Sequence, residues 1–462
     1  MVANSTYSAI FTAQKQFFES GATRSYSFRK KQLKKLKQAV EVYEDRITQA
    51  LYDDLHKASA EAYATEIGFL HEEINYTLNH LKDWMRPDKV RTPLVAQPSK
   101  SRIYHDPLGL TLIIAPWNYP FQLLFSPLVG AIAGGNCAIL KPSEEVPQTA
   151  LVAEALVKEF FPEEYIAVVQ GQGHVVVPKL MDHFAFDHVF FTGSVPVGKI
   201  IMAAAAKHLT PVTLELGGKS PCIIDETADL EKAASRIAWG KFVNAGQTCV
   251  APDYVLVHHS KKEEFVQNVA EAIRKFYGDD PSISPDYPRM VNKKRFDAVV
   301  KYLSQGRILL GGQAKEEEKY IAPTLLDEVS PDDPIMQEEI FGPVLPILTF
   351  DKLQEVPAIV GKNPYPLALY FFSDDNRNQD YILNTIRFGG GCINDVLMHL
   401  GNPAIPFGGI GTSGFGAYHG KYSFDTFTHA KGILKTTTLL DIPFRYPPYT
   451  EKKEKYMKMF MK

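Results

Sequence analysis

The chain has 462 residues, of which 45% are hydrophobic and 22% charged, enough for two or three compact units of ordinary globular composition. Its 50 Lys plus Arg nearly balance 53 Asp plus Glu, and a net charge of −3 gives no reason to expect nucleic acid as a partner. There is no apolar run of the ~18 residues that a membrane span needs, and no secretory h-region within the first residues. Four cysteines without a Cys-x-x-Cys arrangement form no disulfide framework, so a reducing cytoplasm is expected.

Up to about Met85, apolar residues recur three and four positions apart. Leu33, Leu36, Val40, Tyr43, Ile47 and Leu51 form one such series, and Ile67, Leu70, Ile74, Leu78 and Leu81 a second, which predicts helices with one buried face. Pro87 and Pro93 break the pattern, and Val90 to Asp106 reads as a polar, extended, protruding hairpin. From Leu110 the texture changes to continuous apolar runs alternating with helical segments: Leu112 to Ala115, Cys137 to Leu140, Ile166 to Val169 and His188 to Phe191. Such runs imply a parallel sheet covered on both faces, in outline a nucleotide-binding α/β unit. The alternation resumes from Pro221 to about Pro406, and Lys431 to Leu440 is a β-rich Thr and Leu run. His71-Glu72-Glu73-Ile74-Asn75 begins like a zinc-protease helix, but Asn75 stands where the second His is needed, and no metal is expected.

Two segments carry chemistry. Val212 to Pro221 places Glu215 in an apolar strand-like run that stops at Gly217-Gly218, and a buried carboxyl has a raised pKa and can serve as a base near neutrality. Phe242 to Cys249 surrounds one thiol with small and amide residues, and a thiol among polarising groups is a nucleophile. Cys137, Cys222 and Cys392 stand beside apolar runs and read as small buried hydrophobes.

Together with Pro116-Trp117-Asn118-Tyr119-Pro120, Leu140-Lys141-Pro142-Ser143-Glu144, Phe191-Thr192-Gly193-Ser194 and Glu338-Glu339-Ile340-Phe341-Gly342-Pro343, these segments resemble the aldehyde dehydrogenase superfamily over nearly the whole chain. Gly408 to Thr428 is similar to its class 3 branch, which acts on fatty and aromatic aldehydes. The resemblance implies an α/β fold: a modified Rossmann cofactor domain, a second α/β catalytic domain and a small β bridging and oligomerisation element. The expected limits are 1–87 and 106–210 for the cofactor domain, 211–406 for the catalytic domain, and 88–105 with 407–462 for the bridging segments and tail.

It also implies roles. Cys249 attacks the aldehyde carbon, Asn118 and the Cys249 backbone N–H hold the resulting oxyanion, and Glu215 activates the water that hydrolyses the thioester. Transfer to coenzyme A is the alternative fate, found in relatives that generally lack this Glu. NAD is expected to be bound by Trp117, Lys141, Glu144, Gly193, Ser194, Val197, Gly198, Leu216, Glu339 and Phe341. Glu144 favours NAD because a carboxylate accepts from ribose hydroxyls and repels a 2′-phosphate, although NADP stays open. Tyr119, Phe121, Trp239 and Phe407 could line an apolar tunnel, with core packing the favoured reading for any single one. The substrate expected from the resemblance is a medium or long aliphatic or an aromatic aldehyde.

A homodimer is expected, with Lys431 to Leu440 pairing with the partner subunit. The Lys-rich tail, Lys452 to Lys462, either touches an anionic membrane surface or is a solvated or partner-packed helix. Two other readings remain: a cofactor-independent thiol esterase, which would leave Lys141, Glu144, Gly193 and Glu339 without purpose, and a non-catalytic protein on the same fold.

Overall fold

The computed structural model of the chain describes residues 2–461, with side chains from residue 7 onward. The N-terminal part is helical: Val2–Glu19, Tyr26–Leu55 and Gly68–Trp84. Tyr26–Leu55 starts where the Ser25 hydroxyl accepts the Phe28 N–H and ends at His56, which adopts a left-handed conformation (φ 56). Its periodic residues Leu33, Leu36, Val40, Tyr43, Ile47 and Leu51 are all buried. A π-helical turn, Tyr63–Ile67, leads into Gly68–Trp84 and has no signature in the apolar spacing.

Two sheets dominate the remainder of the chain. The first has six strands in the order Gly414–Phe415, Val212–Leu216, His188–Gly193, Leu110–Ile114, Cys137–Lys141, Ile166–Val168. All of its pairings are parallel except that of Gly414–Phe415. Helices such as Gln122–Gly134, Pro147–Phe160 and Val195–Ala206 connect and cover these strands, which explains why the central ones read as unbroken apolar runs.

The second sheet has seven strands in the order Arg307–Leu310, Thr324–Asp327, Val344–Phe350, Tyr254–His258, Pro221–Ile224, Ala368–Phe372, Gly390–Ile393, and only its first is antiparallel. A third, antiparallel sheet joins Asp88–Val90, Lys100–Pro107 and Thr428–Lys435.

The sheets divide the chain differently from the expected limits in two places. Val212–Leu216, placed by sequence in the second unit, is hydrogen-bonded to His188–Gly193 and belongs to the first sheet; the second sheet opens at Pro221. Gly414–Phe415, within the expected bridging segment, extends the edge of the first sheet with Gly414 opposite Glu215. The chain passes between the sheets through Gly217-Gly218, and a Cβ on Gly218 would meet the Leu367 backbone nitrogen at 2.9 Å. The expected β run to Leu440 also shortens: the strand ends at Lys435, and its partner within the chain is Lys100–Pro107.

The tail forms an exposed helix, Glu451–Phe460, capped by the Thr450 hydroxyl. Among the described residues no helix is long and apolar enough to cross a membrane.

Candidate active site

Because the inner strands of the first sheet are parallel, their carboxyl ends gather on one edge, where ligands of open α/β sheets bind. Leu110–Ile114 delivers Trp117 and Asn118 there, Cys137–Lys141 delivers Lys141 and Glu144, His188–Gly193 delivers Gly193 and Ser194, and Val212–Leu216 delivers Glu215 and Leu216.

The thiol arrives from the second sheet's side. Helix Leu230–Phe242 ends in a turn in which Asn244 (φ 52), Ala245 (φ 51) and Gly246 (φ 74) are successively left-handed. For Asn and Ala this conformation costs about 1–2 kcal/mol each, so neighbours must enforce it. The Asn244 N–H donates to Glu61 Oε1 at 2.9 Å, and Asn244 Nδ2 donates to the carbonyls of Asn118 (2.8 Å) and Gln247 (3.1 Å). Gln247 is buried, donating through Nε2 to the Asn244 and Arg289 carbonyls and accepting the Val291 N–H. Gly246 is required by close approach, since a Cβ there would lie 2.3 Å from the Gly342 carbonyl oxygen. The small and amide residues of this segment are therefore the scaffold of a strained loop that ends at the half-buried Cys249.

Asn118 is buried, and its Nδ2 donates one hydrogen to the Gln247 carbonyl at 3.0 Å, which lays the amide against the thiol loop. Tyr119, a tunnel candidate, instead bonds Thr248 Oγ1 through its hydroxyl at 2.6 Å and fixes the residue before Cys249. Phe121 is fully buried against Phe125 and belongs to the core. Phe407 is buried in an aromatic stack with His419, while Trp239 keeps an exposed edge. Cys137 and Cys222 are buried as expected, but Cys392 is only half-buried, with its sulfur 3.5 Å from His399 Nδ1.

Glu215 is 3% exposed, and neither of its carboxyl oxygens has a hydrogen-bond partner among the described residues. Burial alone pushes its pKa well above the usual carboxylate range. Burial also pushes the Cys249 thiol up to about 12, with the negative charges of Glu339 and Glu215 adding to the effect. The thiol therefore holds its proton in this arrangement, and lowering its pKa calls for positive charge or for neutralised carboxyls beside it.

Several of the residues expected to hold the cofactor sit at the carboxyl ends of the first sheet's strands. Lys141 is buried, donating to the Pro142 carbonyl (2.7 Å) and to Glu144 Oε2 (3.0 Å). Glu144 Oε1 accepts the Gly173 N–H at 2.6 Å. Burial acts to raise the Glu144 pKa, but the Gly173 N–H and Lys141 outweigh it and hold the carboxyl below its ordinary value. At the start of Val195–Ala206, Ser194 is exposed and makes no side-chain cap, so the N–H groups of Val195 and Val197 are free for an anion, Pro196 having none. Gly198 lets this helix approach the sheet, because a Cβ there would lie 2.6 Å from Leu216 Cδ2. Val197 is 42% exposed, an apolar side chain presented to the groove mouth.

On the opposite wall, Phe341 is left-handed (φ 50) and meets Trp117 edge-on at 5.2 Å. Glu339 lies across Gly217, where a Cβ would sit 1.9 Å from Oε2, and burial, aided by Asp253, raises its carboxyl to about 8. An uncapped helix start, the close-approach glycines Gly198 and Gly217 and the unpartnered Glu215 carboxyl together fit an extended dinucleotide whose reactive end lies near Cys249.

The buried charges that hold this site carry no signal in the sequence, where they look like ordinary surface residues. Lys219 Nζ pairs with Asp253 Oδ2 at 2.6 Å and donates to the Glu338 carbonyl, while Asp253 accepts the Ile340 N–H at 3.2 Å, pinning the Glu338–Phe341 segment. Lys241, fully buried with Nζ unpartnered, lies 3.9 Å from Asp253, and burial lowers it to about 8.

The model of the aldehyde dehydrogenase family matches residues 2–433. The chain is 52% identical over 98% of its length to the 4,4'-diaponeurosporen-aldehyde dehydrogenase of Staphylococcus aureus, with 98% of that protein covered. It is 45% identical over 95% of its length to aldehyde dehydrogenase family 3 member B1 of Rattus norvegicus, covering 94% of it. Its fold superposes on an NAD-dependent aldehyde dehydrogenase from Sinorhizobium meliloti with a TM-score of 0.86 at 30% identity, covering 94% of this chain and 87% of that one. Continuous similarity of this extent places the chain in the aldehyde dehydrogenase family, on its class 3-like branch.

Proposed function

We propose that the chain oxidises an aldehyde to a carboxylic acid with NAD, using Cys249 as nucleophile, Asn118 and the Cys249 backbone N–H as oxyanion donors, and Glu215 as the base for hydrolysis. The observation that carries this reading is Glu215 itself: a buried carboxyl without a partner, electrostatically coupled to the Cys249 thiol. Burial of this kind costs several kcal/mol and has no structural return.

In this reading the Cys249 thiol gives its proton to solvent, its sulfur bonds the aldehyde carbon, and the former carbonyl oxygen takes up negative charge. The Asn118 amide, held at the thiol loop by the Gln247 carbonyl, donates to that oxygen; one such donor contributes about 3–4 kcal/mol to the transition state. NAD, held by Lys141, Glu144, the start of Val195–Ala206 and Glu339, supplies the two-electron acceptor. Glu215 takes a proton from the water that attacks the resulting Cys249 thioester, and cleavage of the C–S bond releases the acid and restores the thiol. The carboxyl at this position favours hydrolysis over transfer to coenzyme A.

The substrate is an apolar aldehyde, medium or long aliphatic or aromatic, in keeping with the relative named for diaponeurosporen-aldehyde. Glu144 supports NAD over NADP, because its carboxylate would face the 2′-phosphate. A homodimer is supported by the edge strand Thr428–Lys435, which leaves Ile433 and Leu434 exposed. Four free cysteines suit the cytoplasm. A cofactor-independent esterase is not favoured, since it leaves the groove without use.

Absorbance at 340 nm with a panel of aldehydes and either cofactor tests the reading. NADH formation with apolar aldehydes is expected, and acyl-ester cleavage with no dinucleotide reduction on any aldehyde would refute it.

A further inference from the structure

The segment between the second and third long helices is built in a way the reaction so far does not use. Glu66 is fully buried; its Oε1 pairs with Lys57 Nζ at 2.6 Å, and its Oε2 accepts the N–H groups of Phe121 (2.9 Å) and Gln122 (3.1 Å). These N–H groups start the helix that follows Asn118. Lys57, also fully buried, donates to the Asn118 carbonyl at 3.4 Å and sits 4.3 Å from the centre of the Tyr119 ring, whose hydroxyl holds Thr248. On the thiol side, Glu61 Oε1 accepts the N–H of Asn244, and Asn244 Nδ2 returns to the same Asn118 carbonyl at 2.8 Å.

In an α-helix, residues five apart point about 140° away from each other. Glu61 precedes the π-turn Tyr63–Ile67 and Glu66 lies within it, and the wider spacing of that turn reduces the angle between the two carboxylates. One short segment thus holds the Asn118 loop with Glu66, holds the thiol loop with Glu61, and places the Lys57 ammonium between them.

We infer that Lys57, Glu61 and Glu66 are positioning residues that set the separation between the Asn118 amide and the Cys249 sulfur, an assignment that rests on the oxyanion role given to Asn118 above. None of the three needs to touch substrate. They act through backbone atoms, and the strained left-handed Asn244 keeps its conformation because Glu61 holds its N–H.

The test compares the full-length wild type, Asn118→Ala, the charge-free pair Lys57→Met with Glu66→Gln, and the combination of all three changes. The paired substitution removes the Lys57–Glu66 ion pair as a unit and keeps a side-chain oxygen for Phe121 and Gln122, and Glu61→Gln provides a milder second variant. Aldehyde oxidation is followed at 340 nm, NAD affinity by intrinsic fluorescence, and folding by thermal melting. The paired variant is expected to lose about 10- to 100-fold in kcat, as for a displacement of a few tenths of an ångström to 1 Å, with NAD affinity within about twofold of wild type. Glu61→Gln should lose less, in the same direction.

Added to Asn118→Ala, the paired change should cost almost nothing more, because residues acting through one group are not additive. Losses that multiply in the combined variant would overturn the inference, as would a paired variant of unaltered kcat beside an impaired Asn118→Ala. An Asn118→Ala enzyme with unchanged kcat would instead overturn the oxyanion reading, and the positioning role with it.

Discussion

Glu66 and Glu215 are both buried carboxyls near the same reaction centre, and their surroundings treat them in opposite ways. Glu66 has a cation and two backbone N–H groups on its oxygens, whereas Glu215 has no protein partner on either. A fully partnered buried carboxylate fixes the groups around it. One left without partners is destabilising where it stands, and its proton affinity rises until it can serve as a base. The contrast separates the scaffold of the site from its chemistry more clearly than burial or proximity does.

The comparison breaks first at the thiol. Cys249→Ala should lower aldehyde turnover by at least about 10⁴-fold while leaving NAD binding intact, since no other residue supplies the covalent step. Turnover persisting at a hundredth of wild type would point to a different nucleophile. Stability should then sort the two carboxyls by sign. Glu66→Ala strands the Lys57 ammonium and should cost about 3–5 kcal/mol in urea unfolding, whereas Glu215→Gln should leave the midpoint unchanged or raise it. Equal losses in the two variants would erase the distinction.

A third carboxyl sharpens it through pH. Glu73 is buried, with one bond from the Gly420 N–H, and burial raises its pKa to about 7. The folded chain keeps this proton after the unfolded chain has released it, so this contribution to stability is full below the ordinary carboxylate pKa. It is lost as pH rises from about 4.5 to about 7, on the order of 3 kcal/mol in all. Melting temperatures measured across that range should fall less steeply in Glu73→Gln, and identical slopes would show that Glu73 contributes nothing to the pH dependence. The smallest expected effect lies in the groove. Glu144→Gln should narrow the preference for NAD over NADP by about tenfold, roughly 1.4 kcal/mol, and an unchanged ratio of kcat/KM values would place the 2′-hydroxyl elsewhere.

The site residues were named from the resemblance, and several of them share an edge because parallel strands bring their carboxyl ends together wherever they lie in the chain. Once the runs before Asn118, Lys141, Gly193 and Leu216 are read as parallel strands, those residues must share an edge. Sheet membership itself was less visible. The apolar alternation around Glu215 predicts a buried strand but does not say which sheet pairs with it, and Gly414–Phe415 joins by two residues from far along the chain. The anchoring charges were invisible for the same reason. Lys57 and Glu66 sit among helical residues where solvated charge is ordinary, and only contacts across 55 or more positions show that Glu66 faces Phe121 and Lys57 faces Asn118. Cys392 failed differently, since composition reports that a side chain is small without saying how far it is buried.

The division of labour between Cys249 and Glu215 is tested most directly by stopped-flow absorbance at 340 nm with the Glu215→Gln enzyme. If Glu215 acts only on the thioester, a burst of about one NADH per active site is expected at close to the wild-type rate, followed by steady-state turnover reduced by about 10²- to 10³-fold. A burst that disappears together with turnover would contradict this, because Glu215 would then be needed before the thioester forms.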